Sequence, residues 1–160
     1  MEYQAQFFGQ PTPWNKGKLV GQKAPLRVSE IWAIRVRLEI YRRVRDLALF
    51  NLAIDSKLRG CDLVQRHGDF LFPSRISESP HISTRQYARM VHQWFDEIGL
   101  DPTAYSTHTM RRTKPTLVYR RTKNLRAVQL LLGHTRLEST VRYLGIEVDD
   151  ALEMAEQTDA

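Results

Sequence analysis

The chain has 160 residues, 42% of them hydrophobic, which is one domain's worth of core-forming sequence. A single cysteine, Cys61, excludes an intramolecular disulfide; the amino terminus lacks the apolar run of a signal peptide or membrane span, so a cytoplasmic, bacterial-type location is expected. Lys and Arg outnumber Asp and Glu by 24 to 18, giving a net charge of +6, which favours a polyanionic partner such as nucleic acid.

Residues 1–27 carry Gly9, Pro11, Pro13, Gly17, Gly21 and Pro25 without a sustained period, and read as a flexible N-terminal arm. Ser29 is a candidate N-cap for a helix in which Ile31, Ile34, Leu38 and Tyr41 recur at helical spacing. The next run, RVRDLALFNLAIDSKL, is apolar on almost every side through Leu47, Leu49, Phe50, Leu52 and Ile54, so it belongs at the centre of the core. Residues 70–72, stopped by Pro73, leave room for one short strand or a tight hairpin and no extended sheet.

Ser83 or Thr84 caps a helix whose apolar face is Tyr87, Met90, Val91, Trp94, Phe95 and Ile98, with Gly99 at its stop. Ser106 or Thr107 caps the next, which opens with His108 and contains Pro115. An internal proline costs roughly 3 kcal/mol, so a kink or a delayed start is expected. Asn124 caps LRAVQLLLG, closed by Gly133, and a short helix follows through Leu137, Val141 and Tyr143. Residues 148–158 read as an acidic amphipathic helix that docks in cis or on a neighbouring protomer. The pattern is that of a mainly α chain.

Five residues carry the chemistry: Arg59 in LRGCDL, His108 and Arg111 in HTMRR, His134 in LLGH, and Tyr143 in STVRYLGIE. Singly, each has a plain structural alternative: Arg59 and His134 suit helix termini, and Tyr143 suits a half-buried core site. In this order and spacing they resemble the signature of the tyrosine recombinases, the phage integrase family, over residues 25–158. The resemblance implies an integrase-type catalytic domain over residues 28–160. It also implies a duplex DNA partner, strand cleavage and rejoining through a covalent 3′-phosphotyrosine, and homo-oligomers on DNA.

The residue types suit that reaction. In-line attack on a phosphodiester builds negative charge on its oxygens, which two guanidiniums can grip with paired hydrogen bonds; Arg59 and Arg111 are the candidates. Tyrosine, with a pKa near 10, needs cationic surroundings or a base to act as a nucleophile at neutral pH. By resemblance Tyr143 is that nucleophile, His108 a proton acceptor or donor, and His134 a further phosphate donor. Asp62 is a candidate to orient Arg59 or its helix. Arg112, Lys114, Arg120, Arg121, Lys123 and Arg126 are candidate DNA phosphate contacts. His67, His81, His92 and Cys61 lack metal-ligand spacing, so neither metal nor cofactor is expected.

One departure stands out. The family places a lysine-bearing β-hairpin between the first arginine and the H-x-x-R helix, and that lysine protonates the leaving oxygen. Here Arg59 and His108 are 49 positions apart with no lysine between them, as if the small sheet were reduced or deleted at about residues 64–69. Arg66 or His67 are the available stand-ins. Two other readings follow: an impaired integrase remnant that binds DNA without turnover, and a helix-turn-helix regulator built on LRAVQLLLGHTRLESTVRYL.

Overall fold

A computed structural model describes residues 22–56, 58–64, 71–75, 78–101 and 103–145. Among them are seven helices: α1 (Val28–Ile40), α2 (Val44–Ser56), α3 (Gly60–Val64), α4 (Thr84–Asp96), α5 (Thr107–Thr122), α6 (Leu125–Leu132) and α7 (Leu137–Leu144). No strand occurs among these residues, and no helix is long and apolar enough to cross a membrane. The fold is mainly α, as the periodicity predicts.

The larger core joins α1, α2 and α4. Ile31, Ile34 and Leu38 of α1 meet Leu49, Phe50, Ala53 and Ile54 of α2, and Tyr87, Val91, Trp94 and Phe95 of α4 complete it. Phe50 and Trp94 pack edge to face, 5.6 Å between ring centres at 84°, the orientation that aromatic quadrupoles favour. Arg43 ties the start of α2 to the end of α4, pairing with Asp46 at 2.7 Å and Glu97 at 2.6 Å. A smaller core holds Tyr119, Val128 and Leu144 from α5, α6 and α7. Helix α5 serves both: Met110 near its start enters the larger core and Tyr119 near its end anchors the smaller.

Several local expectations are corrected. Helix α1 starts at Val28, with Glu30 accepting the Arg27 N–H at 2.7 Å, so Ser29 lies inside the helix rather than capping it. Tyr41 follows the end of α1, where Arg42 takes a φ of 52°, and is 63% exposed rather than part of the buried stripe. Ser83 and Ser106 are the caps of α4 and α5. Ser106 accepts the His108 N–H while Thr109 accepts the Ser106 N–H, a reciprocal pair that starts α5 promptly. The helix then runs unbroken through Pro115, whose buried ring offsets part of the lost backbone bond.

Leu71 and Phe72 of the strand candidate are not in a strand, although the buried Phe72 accepts the Ile82 N–H at 3.1 Å through its carbonyl. Phe70, the stretch 65–69 with Arg66 and His67, and the acidic helix expected at 148–158 lie outside the described residues. Of the stretch read as an arm, 1–21 lie outside them too, and 22–27 run along α5 and α7 as a docked strap.

Candidate active site

Arg59 stands at the start of α3, its backbone N–H donating to the Asp62 carboxylate at 3.3 Å. Asp62 therefore fixes the turn that carries Arg59 rather than the guanidinium itself. Gly60 lies in close approach here: a Cβ would stand 3.1 Å from the Tyr87 ring, so the ring would have to give by a few tenths of an ångström. Tyr87 is buried beneath, and burial alone pushes its phenol well above the ordinary tyrosine value. His108 lies exposed in the first turn of α5, with Arg111 half-buried one turn on. Arg59, His108 and Arg111 line one cleft with Thr84, Tyr87 and Thr107.

His134 and Tyr143 line a second cleft with Gln22, Arg136, Glu138 and Arg142. Helix α6 ends at Gly133, whose φ of 70° reverses the chain. The turn is then locked: the His134 N–H donates to the Gln129 carbonyl at 3.1 Å, and the Gln129 side chain donates to the His134 carbonyl at 2.9 Å. The His134 Nδ1 and the buried Thr140 Oγ1 are hydrogen-bonded at 3.0 Å, the direction following the ring's tautomer. This sets the imidazole edge-on to the Tyr143 ring, 5.5 Å between centres at 78°.

Arg111 lines the first cleft, and its charge is a secondary cause, after burial, of the shifts at His134 and Tyr143 in the second. Burial, and then the Arg111 charge, hold the His134 imidazole below its ordinary pKa. Burial pushes the Tyr143 phenol up, against the opposing pull of Arg111 and Arg112. The Tyr143 hydroxyl is buried with no hydrogen-bond partner, a state that costs about 1–3 kcal/mol for a polar group.

The candidate DNA contacts separate. Arg112 is corrected: only 8% exposed, it donates to the Lys23 carbonyl at 2.7 Å and lies over the Tyr143 ring, so it faces inward and not a phosphate. Lys114 is paired with Asp55 at 2.6 Å and shares a groove with Trp32, Arg35 and Arg121. Arg120, Arg121 and Arg126 are exposed, Arg126 also donating to Gln129 at 2.7 Å. Lys123 ends α5 with a φ of 52°, its ammonium 5.9 Å from the Tyr119 ring centre.

Sequence reasoning missed the inward role of Arg112 and the strap residues Gln22 and Lys23. The doubled arginine in HTMRR held a signal for the first, since successive helical residues point about 100° apart and so need not share an environment. Nothing local in the sequence pointed to the strap.

The family profile described as phage integrase family matches residues 51–149. A probable integrase/recombinase, YoeC of Bacillus subtilis (strain 168), is 26% identical over 141 residues, covering 84% of this chain and 74% of that protein. Tyrosine recombinase XerD of Brucella suis biovar 1 (strain 1330) is 30% identical over 102 residues, covering 64% of this chain but only 31% of that protein. Among solved structures, the XerA recombinase superposes with a TM-score of 0.67 at 17% identity, covering 88% of this chain and 65% of that one. The XerH site-specific recombinase bound to difH substrate in a pre-cleavage complex gives 0.60 at 16% identity, covering 84% of this chain and 55% of that one. With a profile match over more than half its length, and a helical fold shared with recombinases, this chain belongs to the phage integrase family, as a tyrosine recombinase catalytic domain.

Proposed function

We propose that this chain binds duplex DNA and cleaves and rejoins its strands at a specific site through a covalent 3′-phosphotyrosine on Tyr143. The observation that carries this reading is the position of Arg111. It lies in a cleft with Arg59 and His108 while its charge reaches His134 and Tyr143. Arg111 thus supports grouping the two clefts into one site, with Arg59 and His108 on one side of it and His134 and Tyr143 on the other.

In this mechanism the guanidiniums of Arg59 and Arg111 grip the non-bridging oxygens of the scissile phosphate, where charge accumulates during attack. The Tyr143 hydroxyl gives up its proton, with His108 proposed as the acceptor by family resemblance, and attacks phosphorus in line with the 5′ oxygen. The bond to that oxygen breaks, the oxygen takes a proton, and the 3′ phosphate remains on tyrosine. Attack by a 5′ hydroxyl of the partner strand reverses the step and releases Tyr143. His134, held by Thr140, donates to the phosphate. Arg120, Arg121 and Arg126 suit contacts along the flanking backbone.

A nicked suicide duplex, from which the cleaved 5′ strand diffuses away, traps the intermediate. The expected result is a covalent protein–DNA adduct with the intact chain and none with Tyr143→Phe. Absence of any adduct across candidate sites, with the duplex bound, sinks the cleavage reading.

The missing lysine between Arg59 and His108 favours a second reading, a DNA-binding integrase remnant without turnover. Loss of a general acid costs typically 10² to 10⁴ in rate while leaving the phosphate grip intact. A substrate with a 5′-bridging sulfur, whose leaving group needs no proton, discriminates the two. Adduct on that substrate alone assigns the defect to the missing acid.

A further inference from the structure

Arg111 and Arg112 are successive residues of α5, yet only the first lines the phosphate cleft. Arg112 is buried; one of its terminal nitrogens donates to the Lys23 carbonyl at 2.7 Å, and its guanidinium carbon sits 5.7 Å from the centre of the Tyr143 ring. Its Nε is buried without a hydrogen-bond partner among the described residues. A cation removed from water normally finds a carboxylate; the contacts of this one are a carbonyl and an aromatic face.

The Lys23 carbonyl is itself held in place. The Ala24 N–H donates to the Ala104 carbonyl at 3.0 Å, and the Leu26 N–H donates to Thr113 Oγ1 at 3.0 Å. The Leu26 side chain is buried in the larger core. On the other side the Gln22 amide donates to the Arg142 carbonyl, the residue before Tyr143. The strap thus touches α5, the loop before it, and the backbone of α7.

We propose that Arg112 is a positioning residue for the Tyr143 nucleophile, its guanidinium fixed over the ring by the Lys23 carbonyl of the strap. The proposal rests on the reading of Tyr143 as the nucleophile. Its physical content is that a charge held at fixed distance stabilises the phenolate as it forms, while the ring contact sets where the phenol starts. The other charged or titratable groups around Tyr143 are Arg111 from α5, His134 from the preceding turn, and Arg136, Glu138 and Arg142 along the cleft. Arg112 differs from these in being tied to the strap.

The test reads the Tyr143 phenol directly, in the full chain without DNA, by NMR of ring-labelled tyrosine. The signal is identified by its loss in Tyr143→Phe. In Arg112→Gln the phenol should titrate about one pH unit higher than in the unaltered protein, and adduct formation at fixed pH should fall roughly tenfold. Arg112→Lys should retain most of the original titration. Ala24→Pro, which deletes the N–H given to Ala104 and leaves Arg112 in place, should move the titration the same way by less. An unmoved titration in folded Arg112→Gln overturns the proposal, even if the adduct is lost, because Arg112 is then only packing. Should Arg112→Gln fail to fold, an unmoved titration in Ala24→Pro overturns the strap's part. An adduct that persists in Tyr143→Phe defeats the nucleophile reading instead, and the DNA-free titration separates that failure from this one.

Discussion

In the proposed reaction, Arg111 and Tyr143 divide the chemistry at the residue scale. The planar fork of Arg111 suits two phosphate oxygens at once, a geometry that an ammonium cannot reproduce. Arg111→Lys is therefore expected to lower the adduct rate by on the order of 10² to 10³ while leaving the thermal midpoint nearly unchanged, measured by single-turnover trapping beside thermal denaturation. In the same proposal Tyr143 sets the pH dependence. Burial raises its phenol pKa against the pull of Arg111 and Arg112, so the neutral form dominates at pH 7. A raised pKa means that reactive phenolate is scarce at neutrality and increases about tenfold per pH unit below the pKa. The adduct rate should accordingly rise from about pH 7 to 9. His134, held below its ordinary value, is already neutral there and adds no opposing limb. A flat profile over that range would show that phenol ionisation does not limit the rate.

At the scale of elements, the short helix α3 depends on what lies under it. Gly60 brings the α3 backbone against Tyr87 of α4, with ring carbons 3.1 and 3.2 Å from where a Cβ would stand. Gly60→Ala should destabilise the fold by about 1–3 kcal/mol by overpacking. It should also push Arg59, one residue earlier, away from the cleft it shares with Arg111. The expected readout is a lower denaturant midpoint together with a weaker grip on DNA. A variant with unchanged stability and undiminished cleavage would show that the close approach does not fix Arg59.

Across the whole molecule, the net charge of +6 resolves into distinct sets. Arg35, Arg43 and Lys114 are engaged with carboxylates and hold helices together. Arg59, Arg120, Arg121 and Arg126 are exposed, and Arg111 is half-buried in the cleft. If these five meet phosphates, log K for duplex binding should fall against log salt with a slope of roughly −3 to −5. Arg126→Ala should flatten that slope by about one. A slope near zero would remove the backbone contacts from the reading.

The helices around the larger core were legible because their apolar residues recur at 3.6-residue spacing, a signal that burial imposes directly on sequence. Residues Tyr87, Val91, Trp94 and Phe95 of α4 are the clearest case. The five site residues were legible by their order, each near a recognisable helix start or stop. Tyr41 and Ser29 were misread because the end and the start of α1 depend on an arginine in left-handed backbone and on a Glu30 side chain, which periodicity does not encode. By itself, then, the sequence determined the helical class, the main core and the family resemblance that nominates the reactive set. Only the tertiary structure decided that Arg111 shares a cleft with Arg59 and His108, that Arg112 turns inward, and that 22–27 close over α5 and α7. Those facts rest on contacts between positions far apart in the chain, as from Lys23 to Arg112, 89 positions, and Gln22 to Arg142, 120 positions. Long-range pairing of this kind leaves no local period in a chain.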